Sequence, residues 1–262
     1  MDSQEARSPD SQSIIQVEHL KAGFGEELIF EDVSFEVLKG EIFIILGGSG
    51  CGKSTLLKHL IGLLEPLAGR ILVNGIDITT AEESRLTKLR RQTGVLFQSS
   101  ALFGSMTLGE NVALPLQEFT HLTKEMVDLI VRMKLAMVGL GGYENHFPAE
   151  LSGGMKKRAG IARALALDPA VLFLDEPSAG LDPITSAELD ALIKNINRGT
   201  GATMVIVTHE LESIFSIGNR IIMLDRSKKG IIAKGSLRDL KEHSTDPRVI
   251  NFFNRQVMNH GQ

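Results

Sequence analysis

The stretch GGSGCGKST at 47–55 limits the possible folds of this chain more than any other segment. Its spacing is G-x-x-x-x-G-K-[ST], carried by Gly47, Gly52, Lys53 and Ser54. The apolar run EIFIIL precedes it at 41–46, and Leu56, Leu57, Leu60, Ile61 and Leu64 follow at helical spacing. A buried strand, a glycine turn and a helix over 53–64 are therefore expected in that order. In such a turn the backbone N–H groups of Gly48, Ser49, Gly50, Cys51 and Gly52 can face inward and cradle phosphate oxygens. The helix start adds partial positive charge. Lys53 is expected to reach the β- and γ-phosphates of a nucleotide, and Ser54 to ligate Mg²⁺, with Thr55 beside it in the same binding set. The thiol of Cys51 reads as a small side chain that fits the loop. A redox role is the alternative, because helix N-termini lower thiol pKa values.

The remaining segments decide what surrounds that loop. Runs at 14–20 and 29–37 read as strands of an antiparallel sheet, and 71–78 as a hairpin turning at Asn74-Gly75. Further strand signals at 171–175, 203–207 and 220–224 are separated by helical stretches. Strands alternating with helices imply a mostly parallel sheet covered by helices, an α/β class. The mainly helical block at 99–168 then reads as an insertion. Within it, 123–140 carries Met126, Val127, Ile130, Met133, Leu135 and Val138 at helical spacing, a Met-rich face expected to pack in the core.

Composition removes several classes. The chain has 262 residues, 28 basic and 32 acidic, for a net charge of −4, with no basic excess of the kind nucleic-acid binders show. One cysteine excludes an intrachain disulfide and a cysteine zinc site. No apolar run approaches the roughly 18 residues of a membrane helix. The polar first twelve residues carry no signal-peptide pattern, so the cytosol is the expected compartment.

Two further motifs carry chemistry. VLFLDEP at 171–177 ends an apolar strand in Asp175 and Glu176. A strand-end Asp suits Mg²⁺, and the next carboxylate suits the activation of a water. LSGGMKKRAG at 151–160 places Ser152 as a helix N-cap, with Lys156, Lys157 and Arg158 in the first turns. Cations there oppose the helix dipole, so the segment reads as an anion site or as a solvated basic face.

LSGGM resembles the LSGGQ signature of ABC-type ATPases, and the order of motifs around it matches that family over nearly the whole chain. The resemblance implies a P-loop NTPase fold: an ABC-type nucleotide-binding domain over 13–245 with an antiparallel β subdomain and a helical subdomain at about 99–168. Residues 1–12 are expected to be disordered and 246–262 to form a short C-terminal extension. By the same resemblance Phe24 stacks on adenine, Gln98 is the Q-loop residue near Mg²⁺, and Asp182 lies in the D-loop. His209 is the switch histidine at the γ-phosphate. Lys53, Gln98, Glu176 and His209 form the catalytic set, and Ser54, Gln98 and Asp175 the metal set. ATP would lie between two copies, with Ser152, Gly153 and Gly154 of one facing the phosphate loop of the other. Met155 stands where the signature usually has Gln, and no contact is assigned to it.

Four stretches, at 97–116, 147–169, 175–192 and 246–253, are most similar to the ATPase subunits of Mla/Mce-type lipid transporters. That implies phospholipid transport between bacterial membranes from the cytoplasmic side of the inner membrane. The implied partners are a polytopic MlaE-type permease, an Mce-domain lipid-binding protein and in some systems a STAS-domain protein, with no nucleic acid. The permease is expected to dock on 99–116, where part of the set Leu102, Phe103, Met106, Leu108, Val112 and Leu114 packs internally and the rest forms a groove. Another ABC importer, a lipoprotein-release ATPase or a soluble iron–sulfur assembly ATPase are the alternatives.

Overall fold

Two long strands open the chain, β1 (Ser13–Phe24) and β2 (Glu27–Leu38), followed by β3 (Ile42–Gly47) and α1 (Lys53–Leu60). Next come β4 (Ala68–Val73), β5 (Ile76–Asp77), α2 (Glu83–Gln92) and β6 (Thr93–Leu96). A helical block holds α3 (Leu108–Phe119), α4 (Lys124–Met137) and α5 (Gly153–Ala164). The chain continues through β7 (Val171–Asp175), α6 (Pro183–Thr200), β8 (Thr203–Val207) and α7 (Leu211–Ile217). It closes with β9 (Arg220–Asp225), β10 (Gly230–Ser236), α8 (Leu237–His243) and α9 (Pro247–Phe253). This computed structural model describes residues 12–25 and 27–254. The expected disordered stretch lies outside them apart from Gln12, as do the residues beyond 254, and the side chain of Phe24 also lies outside the described part.

Two sheets form. The first has the order β2-β1-β4-β5 and is antiparallel. Its inward residues on β1 are Ile15 and Val17, then Leu20 and Ala22. The alternation slips by one at His19, whose φ of 49° marks a bulge. Opposite the bulge, a Cβ on Gly69 would stand 2.4 Å from the His19 carbonyl oxygen, so only glycine fits there. The β4–β5 turn has Asn74 and Gly75 both at positive φ, 48° and 75°, the geometry of a two-residue hairpin.

The second sheet has the order β10-β9-β3-β8-β7-β6, parallel except at β10. Its strands read as unbroken apolar runs because both faces are covered. Ile42, Ile44 and Leu46 of β3 face the helices, while Phe43 and Ile45 face the antiparallel sheet. Leu172 and Leu174 against Val171 and Phe173 repeat the division on β7. The insertion α3–α5 leaves from β6 and returns to β7, its neighbour in the sheet.

Two expectations change. Helix α1 stops at Leu60 rather than at 64, because Gly62 turns left-handed and the Leu63 and Leu64 amides close back on the Lys58 carbonyl. The Met-rich face of α4 is not core. Val127, Val131, Leu135 and Val138 are buried, whereas Met126 and Met133 are 53% and 59% exposed. Of the expected C-terminal extension, the described residues 246–254 are seated on the core. Val249 is fully buried, and Arg248 bridges Asp246 and Asp225 at 2.6 and 2.9 Å.

Candidate functional site

The strand order determines the site. With β3, β8, β7 and β6 side by side and parallel, their C-terminal ends present the glycine loop, His209, Asp175–Glu176 and Gln98 along one edge. Ligands in such sheets bind beyond the carboxyl ends of the strands. A cavity of about 640 Å³ lies there. Its walls include Gly47, Gly48, Ser49, Gly50, Gly52, Lys53, Ser54 and Thr55, with Gln98, Glu176, His209, Ile29 and Phe252.

Glycine is obligatory at two loop positions. Gly47 has φ 152°, and a Cβ there would lie 2.5 Å from both Cys51 Sγ and the Leu224 carbonyl. Gly52 has φ 98°, and its Cβ would meet the Phe30 ring at 2.6 Å. Helix α1 begins with no side-chain cap and no acidic residue in its first turn, so its N–H groups are left for an anion. Lys53, 9% exposed, donates from Nζ to the Gly47 and Gly48 carbonyls at 2.9 and 3.0 Å. Those bonds hold the ammonium over the loop.

Ser54 Oγ donates to Asp175 Oδ1 at 3.2 Å. Burial pushes the Asp175 carboxyl above its ordinary pKa against the lowering bond from Ser54, and the neighbouring Glu176 charge adds to the rise. A hydroxyl and a carboxylate in contact, with the Gln98 amide on the same cavity, are hard oxygen donors that fit Mg²⁺ completed by phosphate oxygens. Glu176 is 6% exposed and sits at φ 47°, a left-handed conformation uncommon outside glycine. Its Oε1 accepts from His209 Nδ1 at 2.8 Å, while Oε2 has no hydrogen-bond partner. A carboxylate on the wall of such a cavity can act as the base for a water.

Ser152, Gly153, Gly154, Asp182 and Cys51 are not among the residues lining this cavity. Ser152 caps α5, its Oγ accepting from the Met155 amide at 3.3 Å, with Gly153 and Gly154 following in the first turn. Asp182 caps α6, accepting from the Ile184 and Thr185 amides and the Thr185 hydroxyl, bonds that lower its pKa. The Cys51 side chain is buried, and burial raises its thiol pKa, which disfavours the redox alternative.

Two residues were missed from the sequence. Phe252 of α9 reaches the cavity wall from a segment read as an extension. Lys157 was read in a solvated basic face or anion site, yet it is 6% exposed and donates to the carbonyls of Gln98 and Glu176 at 2.7 and 3.0 Å. Nothing in the spacing marks Lys157 apart from Lys156 beside it. Arg158 is also engaged, pairing with Glu188 of α6 at 2.8 Å.

Comparison with known proteins matches residues 30–179 to the family described as ABC transporter. The chain is 46% identical to the probable ribonucleotide transport ATP-binding protein mkl of Mycobacterium leprae, over 92% of this chain and 68% of that protein. It is 41% identical to the intermembrane phospholipid transport system ATP-binding protein MlaF of Haemophilus influenzae, over 93% of this chain and 91% of that protein. Among solved structures it resembles a dimeric ATP-binding cassette in a post-hydrolysis state bound to ADP and Pi. The TM-score is 0.77 and the identity 32%, over 86% of this chain and 99% of that one.

Proposed function

Because the chain belongs to the ABC transporter family as an ATPase, we propose that it couples ATP hydrolysis to phospholipid transport between bacterial membranes. The observation that carries the hydrolytic part is the convergence of Lys53, Ser54, Gln98, Glu176 and His209 on one cavity. Phosphoryl transfer to water asks for positioning and charge stabilisation rather than covalent chemistry. Lys53 and the α1 N-terminus receive the phosphates. In this reading Glu176, held by His209 through Oε1, is the carboxylate that activates the attacking water. Ser54, Asp175 and Gln98 would hold Mg²⁺, which supplies neutralisation of the developing charge. Phe24 stacks on the base in this reading.

Signature and D-loop residues complete the site from a second copy. Ser152, Gly153, Gly154 and Asp182 would meet the phosphate loop across a homodimer, an arrangement supported by the dimeric cassette among the structural relatives.

Among the described residues no helix is long and apolar enough to cross a membrane. In this reading the chain sits on the cytoplasmic face of the inner membrane through an MlaE-type permease, with an Mce-domain protein and, in some systems, a STAS-domain protein in the assembly. A groove of about 330 Å³ beside the Q-loop suits a permease helix, lined by Phe103, Leu114, Pro115 and Phe119. Leu108 and Val112 from the same stretch are fully buried.

Phospholipid is favoured over ribonucleotide as cargo by the near full-length match to the MlaF relative, against two thirds of the mkl relative. Purification of the intact complex from detergent-solubilised membranes, with mass spectrometry of proteins and lipids, tests the reading. Phospholipid with an MlaE-type permease is expected. A permease of another type with a non-lipid cargo overturns it.

A further inference from the structure

Helix α5 touches the catalytic loops through one face. Lys157, Gly160 and Arg163 are spaced by three and lie along it. Lys157 Nζ donates to the carbonyls of Gln98 at 2.7 Å and Glu176 at 3.0 Å. The guanidinium of Arg163 donates to two further carbonyls of the same loop, Ser100 at 3.0 Å and Ala101 at 2.7 Å. Between them, Gly160 lets the helix come so near that an added Cβ would lie 2.5 Å from Leu96 Cδ1 and 3.4 Å from Ser100.

Three of the four carbonyls gripped in this way belong to strained backbone. Ser100, Ala101 and Glu176 have φ values of 63°, 47° and 47°, and none is glycine. Such conformations persist only where the surroundings over-determine them. Here α5 supplies donors to all three residues and to Gln98 between the strands. Burial lowers the Lys157 pKa, and the charges of Asp175, Glu176 and Glu210 work the other way. Burying Lys157 is costly unless its N–H groups are matched, and the two carbonyls take two of its three.

We propose that Lys157 and Arg163 are positioning residues: α5 clamps the backbone at 98–101 and at Glu176, so that the placement of the signature helix sets where Gln98 and Glu176 point. A displacement of α5, whose N-terminus carries Ser152, then moves both catalytic side chains together. The two loops follow neighbouring strands, β6 and β7, and α5 adds a side-chain bridge from the signature helix to both. This inference rests on the reading of Gln98 and Glu176 as part of the hydrolytic site.

The test measures kcat and KM for Mg-ATP and equilibrium ATP binding on the full chain with its transporter, for Lys157→Met, Lys157→Gln and Arg163→Met. Losing the Lys157 bonds is expected to lower kcat about tenfold or more, with ATP affinity within about threefold of the parent. Lys157→Gln keeps an N–H donor without the charge and is expected to recover a substantial part of kcat. Arg163→Met, at the half-buried end of the clamp, lowers kcat less and serves if Lys157→Met fails to fold. Parent-like kcat in a folded Lys157→Met or in Arg163→Met overturns the clamp. So does an equal loss of kcat and ATP affinity without recovery by Gln, the pattern of a merely structural residue. Glu176→Gln measured alongside separates the two readings. If it hydrolyses ATP like the parent, the assignment of the site itself has failed. If it is inactive while the α5 variants are normal, only the clamp has.

Discussion

The phosphate-loop side and the signature side of this chain are built differently. Lys53, Ser54, Gln98, Glu176 and His209 stand on the ends of adjacent parallel strands and meet in one cavity. Ser152 and Asp182 stand at helix N-termini outside it, and their oxygens are satisfied by their own helices. A parallel sheet fixes its strand ends relative to one another through the ladder. A helix end is fixed only through what the helix packs on. The first side is therefore assembled within one chain, while the second presents helix ends that, in the proposed reading, a second copy uses.

The sharpest way to break that comparison is to disable the first side without disturbing its shape. Glu176→Gln removes the anion and keeps the volume. Hydrolysis is expected to fall at least about 10²-fold, the scale of losing a general base, while ATP binding survives. Because ATP would then persist, the variant should hold two copies together, which light scattering in saturating ATP detects. If no ATP-dependent association occurs, free or in the reassembled transporter, the signature side does not act across two chains.

Lys53→Ala comes next. It deletes a cation that the loop carbonyls hold in place, so affinity for a labelled ATP analogue and turnover should both drop about tenfold or more. Ser152→Arg blocks the other side and should abolish turnover while leaving binding to the phosphate loop. Mixing the two inactive proteins pairs one good loop with one good signature, and partial recovery of activity is expected in the reassembled transporter. Unchanged affinity in Lys53→Ala would remove the loop from the site.

What was legible in the sequence follows the same division. Phosphate chemistry demands Gly, Lys and Ser at fixed short spacing, so Gly47, Gly52, Lys53 and Ser54 were readable without a fold. Burial on both faces of the sheet left β3, β7 and β8 as plain apolar runs. Helix α4 was misread because it has more apolar residues than one face can bury. Periodicity cannot choose between the stripe of Val127, Val131 and Leu135 and the exposed one of Met126 and Met133. Lys157 and Phe252 were invisible for another reason: each acts on residues far away in the chain, through packing of α5 and α9.

A smaller effect is expected at the surface beside the Q-loop. Phe103 is 50% exposed and lines the groove assigned to the permease. Phe103→Asp should weaken co-purification with the permease and leave ATP affinity intact, at a stability cost of about 1 kcal/mol or less for so exposed a position. Retained co-purification would move the docking surface elsewhere, and loss of folding would return Phe103 to the core.

The last effect, on stability rather than activity, lies between the two sides, at Asp190 of α6. It is 3% exposed, and burial raises its pKa from 3.8 to about 6, with a hydrogen bond from Ser213 opposing and the charge of Glu210 adding to the rise. Its Oδ1 has no partner. Ser213, on α7 behind His209, meets Ser178 of the D-loop segment at 3.3 Å, so Asp190 underlies the junction of the switch and the D-loop. The folded state binds the proton more tightly than the unfolded chain does. Stability should therefore be highest when Asp190 is protonated and should fall as pH rises from about 4 through about 6, by at most about 3 kcal/mol for a shift of that size. Asp190→Asn keeps the shape and removes the ionisation. Its melting temperature should match the parent near pH 4 and exceed it at pH 8 by several degrees, at about 2–4 °C per kcal/mol for a chain of this length. A gap independent of pH would mean that Asn differs from Asp only in packing. A variant less stable at pH 8 would mean that the ionised carboxylate is held by the Ser213 bond more strongly than burial opposes it, and the polar junction between the two sides would then depend on the charge.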